Sequence, residues 1–379
     1  MPWEPVTVEQ QRREFVMFAQ QGRVPFRELC RRFGISPRIA YKWCHRFAEA
    51  GEAGLRDHSR RPHRRRPQLP APTQQAIVAL RQAHPCWGAR KIRRLLHNQG
   101  LHPVPATSSI TAALHRHALI GADSPAGQRP WVRFERPLPN DLWQMDFKAP
   151  VATPAGPQHV LSVLDDHSRF ALSLQALPKQ EGRLVQAALV AAFRRYGVPE
   201  AMLSDNGGPW GDLAADAYAA LAVWLMRLGI YVTHSRPYHP QTVGKDERFH
   251  GSLERELLAR HQWRDGEHLQ AHLDPWREQY NFLRPHEALA LEVPADRYQP
   301  SLHPYPEELE PIHYPPGLPV RKVQRGGEVH FGGRLLPVSK AFRGQPVGIR
   351  AAASDGLVEV LFCHQVIKRL TLGECPKAE

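Results

Sequence analysis

The sequence is short of the features that would place it outside the cell or in a membrane. It has only five cysteines, at Cys30, Cys44, Cys86, Cys363 and Cys375. None forms a CxxC pair, and an odd, scattered set argues against a disulfide framework. Cys44-His45 has no second pair at metal-ligand spacing, which favours packing over zinc. No run of 18 apolar residues is present, and no signal-peptide pattern opens the chain. No membrane role is expected. The expected setting is a reducing, soluble compartment. Acidic residues are also in deficit, 37 Asp and Glu against 50 Lys and Arg, for a formal charge of +13. That excess favours a polyanionic partner, nucleic acid before membrane.

What is present divides the 379 residues into segments. Residues 1–58 are helical in pattern, with Phe15, Phe18 and Ala19, then Leu29 and Phe33, at helical spacing. Gly34 breaks the chain, Ser36 suits an N-cap and Pro37 a first helical position. Two helices, a glycine turn and a third helix form a helix-turn-helix layout. On the third helix Ala40 and Trp43 are expected to face inward. Arg38, Tyr41, Lys42 and Arg46 are expected to be exposed and to read DNA. An Arg/Pro arm follows at 59–72, with Arg60, Arg61, Arg64, Arg65 and Arg66 expected on phosphates or in a minor groove. Residues 73–120 carry three more apolar stripes (Ile77 and Leu80; Ile92, Leu95 and Leu96; Ile110 and Leu114) and read as a second helical DNA-binding unit. A linker rich in Pro, Gly and Arg occupies 121–138.

Residues 139–300 alternate β-branched runs with helical stretches at about 181–196, 212–228 and 241–260, the pattern of an α/β domain. Short strands separated by glycine turns fill 318–372, for which a small SH3-like β-barrel is the simplest closed solution.

Three acids in the α/β segment sit where structure alone does not ask for them. Asp146 lies inside the strand-like Leu142–Lys148, where an unpaired carboxylate is costly. Asp205 ends the apolar run Ala201–Ser204, and strand ends are where α/β folds place sites. Glu247 follows Pro240 on a helix whose Phe249, Leu253 and Leu257 share the opposite face. Two aspartates from strand positions and one helical glutamate have the hard-oxygen chemistry to hold two Mg²⁺ (or Mn²⁺) ions, which can clamp both oxygens of a phosphoryl displacement. Asp165-Asp166, in Asp-Asp-His-Ser-Arg, reads instead as a hairpin turn. Asp246 would replace Glu247 if the helix register differed by one. Lys148, Lys245 and Arg248 are placed to meet phosphates nearby.

These motifs are recognisable together. Trp143-Gln144-Met145-Asp146-Phe147, Val163-Leu164-Asp165-Asp166-His167-Ser168-Arg169, Leu203-Ser204-Asp205-Asn206-Gly207 and Arg236-Pro237-Tyr238-His239-Pro240-Gln241 through Gly244–His250 resemble the integrase core. More narrowly, they resemble bacterial insertion-sequence transposases of the retroviral-integrase (DDE) superfamily. The segment from Phe26 to Pro62 is similar to that group's N-terminal helix-turn-helix. The resemblance implies an RNase H-like core with a mixed five-stranded sheet flanked by helices, and catalytic Asp146, Asp205 and Glu247. It implies that a metal-activated water hydrolyses a phosphodiester at the element end and that the freed 3′-hydroxyl attacks target DNA. The implied partners are double-stranded DNA, both element ends and target, and further copies of this chain in a homo-oligomer on DNA. Glu247 follows Asp205 by 42 positions (247 − 205), longer than the superfamily usually shows, and the excess falls in the Gly207–Asp216 loop. A DNA-binding regulator that has lost catalysis is the alternative; it predicts a broken acidic triad, whereas all three acids are present.

Overall fold

The structure is a computed structural model that describes residues 7–58, 69–120, 135–212, 217–234, 244–352 and 356–377. It forms two compact units, 1–68 and 69–379.

In the smaller unit α1 (Val8–Gln21), α2 (Phe26–Arg32) and α3 (Pro37–Ala50) surround a core of Phe15, Val16, Leu29, Cys30, Ala40, Trp43 and Leu55. Thr7 and Gln10 start α1 with a reciprocal capping box. Gly34 turns the chain with φ +64°, a conformation that costs glycine little. Ser36 Oγ then accepts a hydrogen bond from Ile39 N at 3.4 Å, with Pro37 in the first turn. Phe18, expected on the apolar stripe, is half exposed, while Phe15 is buried. The loop after α3 closes tightly on it. A Cβ on Gly54 would lie 2.0 Å from the Arg46 carbonyl oxygen, so only glycine fits there.

The larger unit begins with α4 (Ala71–Ala83), α5 (Ala89–Asn98) and α6 (Thr107–Arg116), packed through Ile77, Ile92, Leu96, Ile110 and Leu114.

Next comes the mixed five-stranded sheet. Its strands are β1 (Trp143–Phe147), β2 (His159–Asp165), β3 (Ala171–Leu177), β4 (Ala201–Ser204) and, after a small hairpin of β5 (Gly211–Asp212) and β6 (Ala217–Tyr218), β7 (Tyr231–His234). The order is β3-β2-β1-β4-β7. The pairs β1–β2 and β2–β3 are antiparallel; β1–β4 and β4–β7 are parallel. Alternation along each strand divides the core. Trp143, Met145, Leu161 and Val163 pack with α7 (Gly182–Tyr196) and α8 (Ala220–Arg227). Val160, Leu164 and Leu174 pack with α9 (Gly244–Glu256) and α10 (Gly266–Phe282) through Phe249, Leu253, Trp276 and Tyr280. This parity turns Gln144 and Asp146 toward α9. The helix expected from 212 begins only at Ala220, because Asp212 and Ala217–Tyr218 are extended in the β5–β6 pairing instead.

The closed C-terminal barrel does not form among the described residues. β8 (Val320–Lys322), β11 (Pro346–Ala351), β12 (Leu357–Phe362) and β13 (Gln365–Thr371) make an open sheet in the order β13-β12-β11-β8. β9 (Glu328–Phe331) and β10 (Arg334–Pro337) form a separate two-stranded sheet, and Arg334 also bridges to Lys377. Closure gives way to docking: Phe342, Val347, Ile349, Val358, Val360 and Phe362 belong to the same apolar cluster as α7 and α8. The Gln365 side chain pairs with both backbone groups of Val232 on edge strand β7, donating to its oxygen at 2.8 Å and accepting from its nitrogen at 3.1 Å.

Candidate active site

Asp146 sits on central strand β1 with its side chain 22% exposed. Its Oδ1 accepts a hydrogen bond from Phe147 N at 2.8 Å. Burial first, then the like charges of Asp205 and Glu247, push its carboxyl up to about 6. Asp205 is exposed just past β4, next to β1 in the sheet. Its carboxyl is also raised, chiefly because part of its surroundings is protein rather than water, against lowering by His234 and by a hydrogen bond from Trp210. Glu247 is exposed in the first turn of α9. The three acids expected from sequence thus come from three elements and act on one another electrostatically at Asp146.

The neighbour Asp246 behaves differently. It is buried, its Oδ1 has no hydrogen-bond partner among the described residues, and burial drives its carboxyl well above the ordinary range. With Phe249 and Leu253 also buried, the register of α9 turns Glu247, and not Asp246, outward.

His250 closes the same motif, and the sequence assigns it no role. Its Nε2 shares a 2.8 Å hydrogen bond with Ser162 Oγ, and its Nδ1 lies 3.8 Å from Asp146 Oδ2. Burial, reinforced by Lys148, lowers its pKa to about 4, so a neutral imidazole stands beside Asp146 at neutral pH. Its spacing from Glu247 puts it on the adjoining helical face, the one signal that could have identified it.

Among the described residues, no three His, Cys, Asp or Glu side chains stand close enough together to hold a metal ion as placed. The donor chemistry nevertheless suits a hard divalent cation: all three side chains offer carboxylate oxygens, and a cation would offset both the burial and the like charges that raise the Asp146 carboxyl.

The basic residues divide. Lys148 pairs with Glu254 at 2.8 Å, and Lys245 pairs with the buried Asp166. Both ammonium groups are largely covered; Arg248 is exposed. The Asp-Asp-His-Ser-Arg turn is also more than a turn. Asp165 Oδ1 accepts from Ser168 N and Oγ at 2.7 and 2.6 Å, and its Oδ2 accepts from Asn140 N at 2.7 Å.

On α3, Arg38, Tyr41 and Lys42 are exposed, although Tyr41 stacks on Phe26 with ring centres 4.5 Å apart. Arg46 departs from expectation. It donates to the Arg56 carbonyl at 2.6 Å and lies 4.8 Å from the centre of the Trp43 ring, which draws it inward. Arg60, Arg61, Arg64, Arg65 and Arg66 lie outside the described residues.

Comparison with known proteins agrees segment by segment. Residues 11–63 match a helix-turn-helix domain and 39–114 a homeodomain-like domain. Two integrase core domain models match 136–240 and 228–294, and the C-terminal domain of the IS481 family transposases matches 319–374. An uncharacterized 31.7 kDa protein of insertion element IS407 from Burkholderia multivorans is 26% identical over 226 residues, 58% of this chain and 78% of that protein. An uncharacterized 39.2 kDa protein of insertion element IS476 from Xanthomonas euvesicatoria is 27% identical over 240 residues, 60% of this chain and 66% of that protein. Among solved structures, the HTLV-2 integrase catalytic core domain in complex with magnesium aligns with 42% of this chain and 97% of its own at 17% identity and a TM-score of 0.33. With helix-turn-helix, integrase-core and transposase C-terminal models succeeding one another along it, and insertion-element proteins among its relatives, the chain belongs to the insertion-sequence transposases of the integrase superfamily.

Proposed function

We propose that this chain binds the ends of its own insertion sequence and, with divalent metal, cleaves a phosphodiester there and joins the freed end to target DNA. The observation that carries this reading is the placement of three acids on neighbouring elements, Asp146 on central β1, Asp205 just past the adjacent β4 and Glu247 outward on the first turn of α9, with the charges of the latter two felt at Asp146. Acids that repel one another in the middle of a sheet are costly for folding alone and useful for holding cations. Asp146, Asp205 and Glu247 would hold two Mg²⁺ or Mn²⁺ ions. Bound there, the ions would supply Lewis acidity and lower the pKa of a water molecule. The protein's own part is placement. Asp146 is fixed by its bond from Phe147 N, and His250, neutral and tied to Ser162, stands beside Asp146 without adding a positive charge. Arg248, which is exposed, would meet a phosphate. The helix-turn-helix would read terminal sequence through Arg38, Tyr41 and Lys42, and further copies of the chain would bring two ends together.

The test is a strand-transfer assay with the full chain, Mg²⁺, DNA carrying the flanking element ends, and a target plasmid. Joined products are expected with Mg²⁺ or Mn²⁺, and none with Ca²⁺, which accepts a looser coordination. Cleavage without joining would indicate a nuclease. Specific end binding without either would indicate a regulator, and joining in EDTA would remove the metal from the reading.

A further inference from the structure

One carboxylate ties together the elements that carry Asp146 and Glu247. Asp166 is 1% exposed. Its Oδ2 accepts a hydrogen bond from Arg136 N at 2.8 Å, and its Oδ1 accepts one from the Gln144 side-chain amide at 2.6 Å. The Lys245 ammonium pairs with the same carboxylate and donates to the Asp166 backbone oxygen at 3.2 Å. The spacing is the telling feature. Gln144 precedes Asp146 by two residues on β1, and side chains two apart on a strand share a face. Lys245 precedes Glu247 by two residues in the first turn of α9. The anchor of each acid is therefore two positions away from it, and both anchors meet on Asp166.

The far end of α9 is held separately. Arg284 donates to Glu256 at 2.9 Å and to Ser252 Oγ at 3.0 Å. That clamp fixes where the helix ends; the Asp166 clamp fixes where its first turn lies against β1. An ion pair covered to this degree is little screened by salt, and its direction is set by three hydrogen-bonding partners at once.

We propose that the Asp166–Lys245 pair is a positioning device that sets the separation of Asp146 and Glu247, and through it the affinity of the acids for a divalent cation. This rests on the reading of those acids as metal ligands given above. Lys245 thereby changes role, from a group offered to phosphate to a group that holds the catalytic helix in place. Binding sites tolerate only about 0.5 Å of looseness in the side chains that form them, which makes such a support consequential.

The experiment measures Mn²⁺ binding to the full chain without DNA, by the electron paramagnetic resonance of the free ion, with circular dichroism melting to confirm folding. Lys245→Met and Asp166→Asn are each expected to weaken Mn²⁺ binding by about 10–100-fold, the range typical of groups that orient metal ligands. The double variant leaves neither charge buried alone, so it folds even where a single variant does not, and it is expected to show the same loss. Lys245→Arg, which keeps the charge, is expected to retain most of the affinity. Wild-type Mn²⁺ affinity in any folded variant lacking the pair, the double included, overturns the proposal. Glu247→Ala is the control that separates the two readings. If it loses Mn²⁺ while the pair variants do not, only the positioning role fails; if it binds Mn²⁺ like the wild type, the ligand reading fails and takes the positioning role with it.

Discussion

Two neighbouring carboxylates show how much a single residue's surroundings decide. Asp246 and Glu247 are adjacent and both acidic, and both act electrostatically with Asp146, yet one is buried and the other is exposed. Asp146→Ala, Asp205→Ala and Glu247→Ala should each reduce end cleavage and joining by at least about a hundredfold, the scale of removing one preorganised charged group from a transition state. Binding of the terminal repeat, measured by gel shift without metal, should stay near wild type, because the reading helix belongs to the other compact unit. A Glu247→Ala protein that still joins DNA, beside an inactive Asp246→Ala, would mean that the wrong carboxylate has been assigned. Asp146 was legible in sequence because a carboxylate inside an apolar strand needs a reason to be there. The partnership of Asp166 with Lys245 was not legible: the two lie 79 positions apart, and only the packing of α9 on the sheet brings them together.

At the scale of elements, α3 shows where periodicity stops being informative. It correctly turns Ala40 and Trp43 inward and leaves Arg38 and Lys42 outside. Arg46 falls on the expected outer face, but its long stem lets the guanidinium fold back over Trp43 and bind the Arg56 carbonyl, a choice of rotamer that helical spacing does not encode. The substitutions should therefore differ in kind. Arg38→Ala should cost about 1–3 kcal/mol of specific binding and relax preference at one base pair, with stability unchanged. Arg46→Ala and Gly54→Ala should instead loosen the unit, the second because its new Cβ meets the Arg46 carbonyl. Hydrogen exchange across residues 8–55 of the full chain would register that loosening as weaker protection. Unchanged exchange in Arg46→Ala, with weakened binding to one base pair only, would return Arg46 to the reading face. The C-terminal strands give a related lesson. Short strands between glycine turns were legible there, but whether they close into a barrel depends on what else can cover their inner faces. Here α7 and α8 share that cluster.

For the molecule as a whole, the feature that matters most for binding is charge and its placement. The net charge of +13 is unevenly spread along the sequence, with Arg60, Arg61, Arg64, Arg65 and Arg66 concentrated in one run of seven residues. Arginines on phosphates attract DNA of any sequence and release condensed counterions, so they appear in the salt dependence of binding; side chains on base edges appear in discrimination between sequences. Replacing the five arginines with glutamine should weaken binding to terminal-repeat and scrambled DNA alike. It should also flatten the slope of log K against log salt by roughly 0.9 for each phosphate that is no longer neutralised. The ratio of the two affinities should hold, since the α3 residues that discriminate are untouched. Arg38→Ala should show the reverse, with its slope kept and its ratio reduced. Titrations of both DNAs at several salt concentrations separate the two behaviours. A glutamine variant with the wild-type slope on both DNAs would make the arginine run a linker only, and the basic helix α5, which carries Arg90, Arg93 and Arg94, would be the next candidate for phosphate neutralisation.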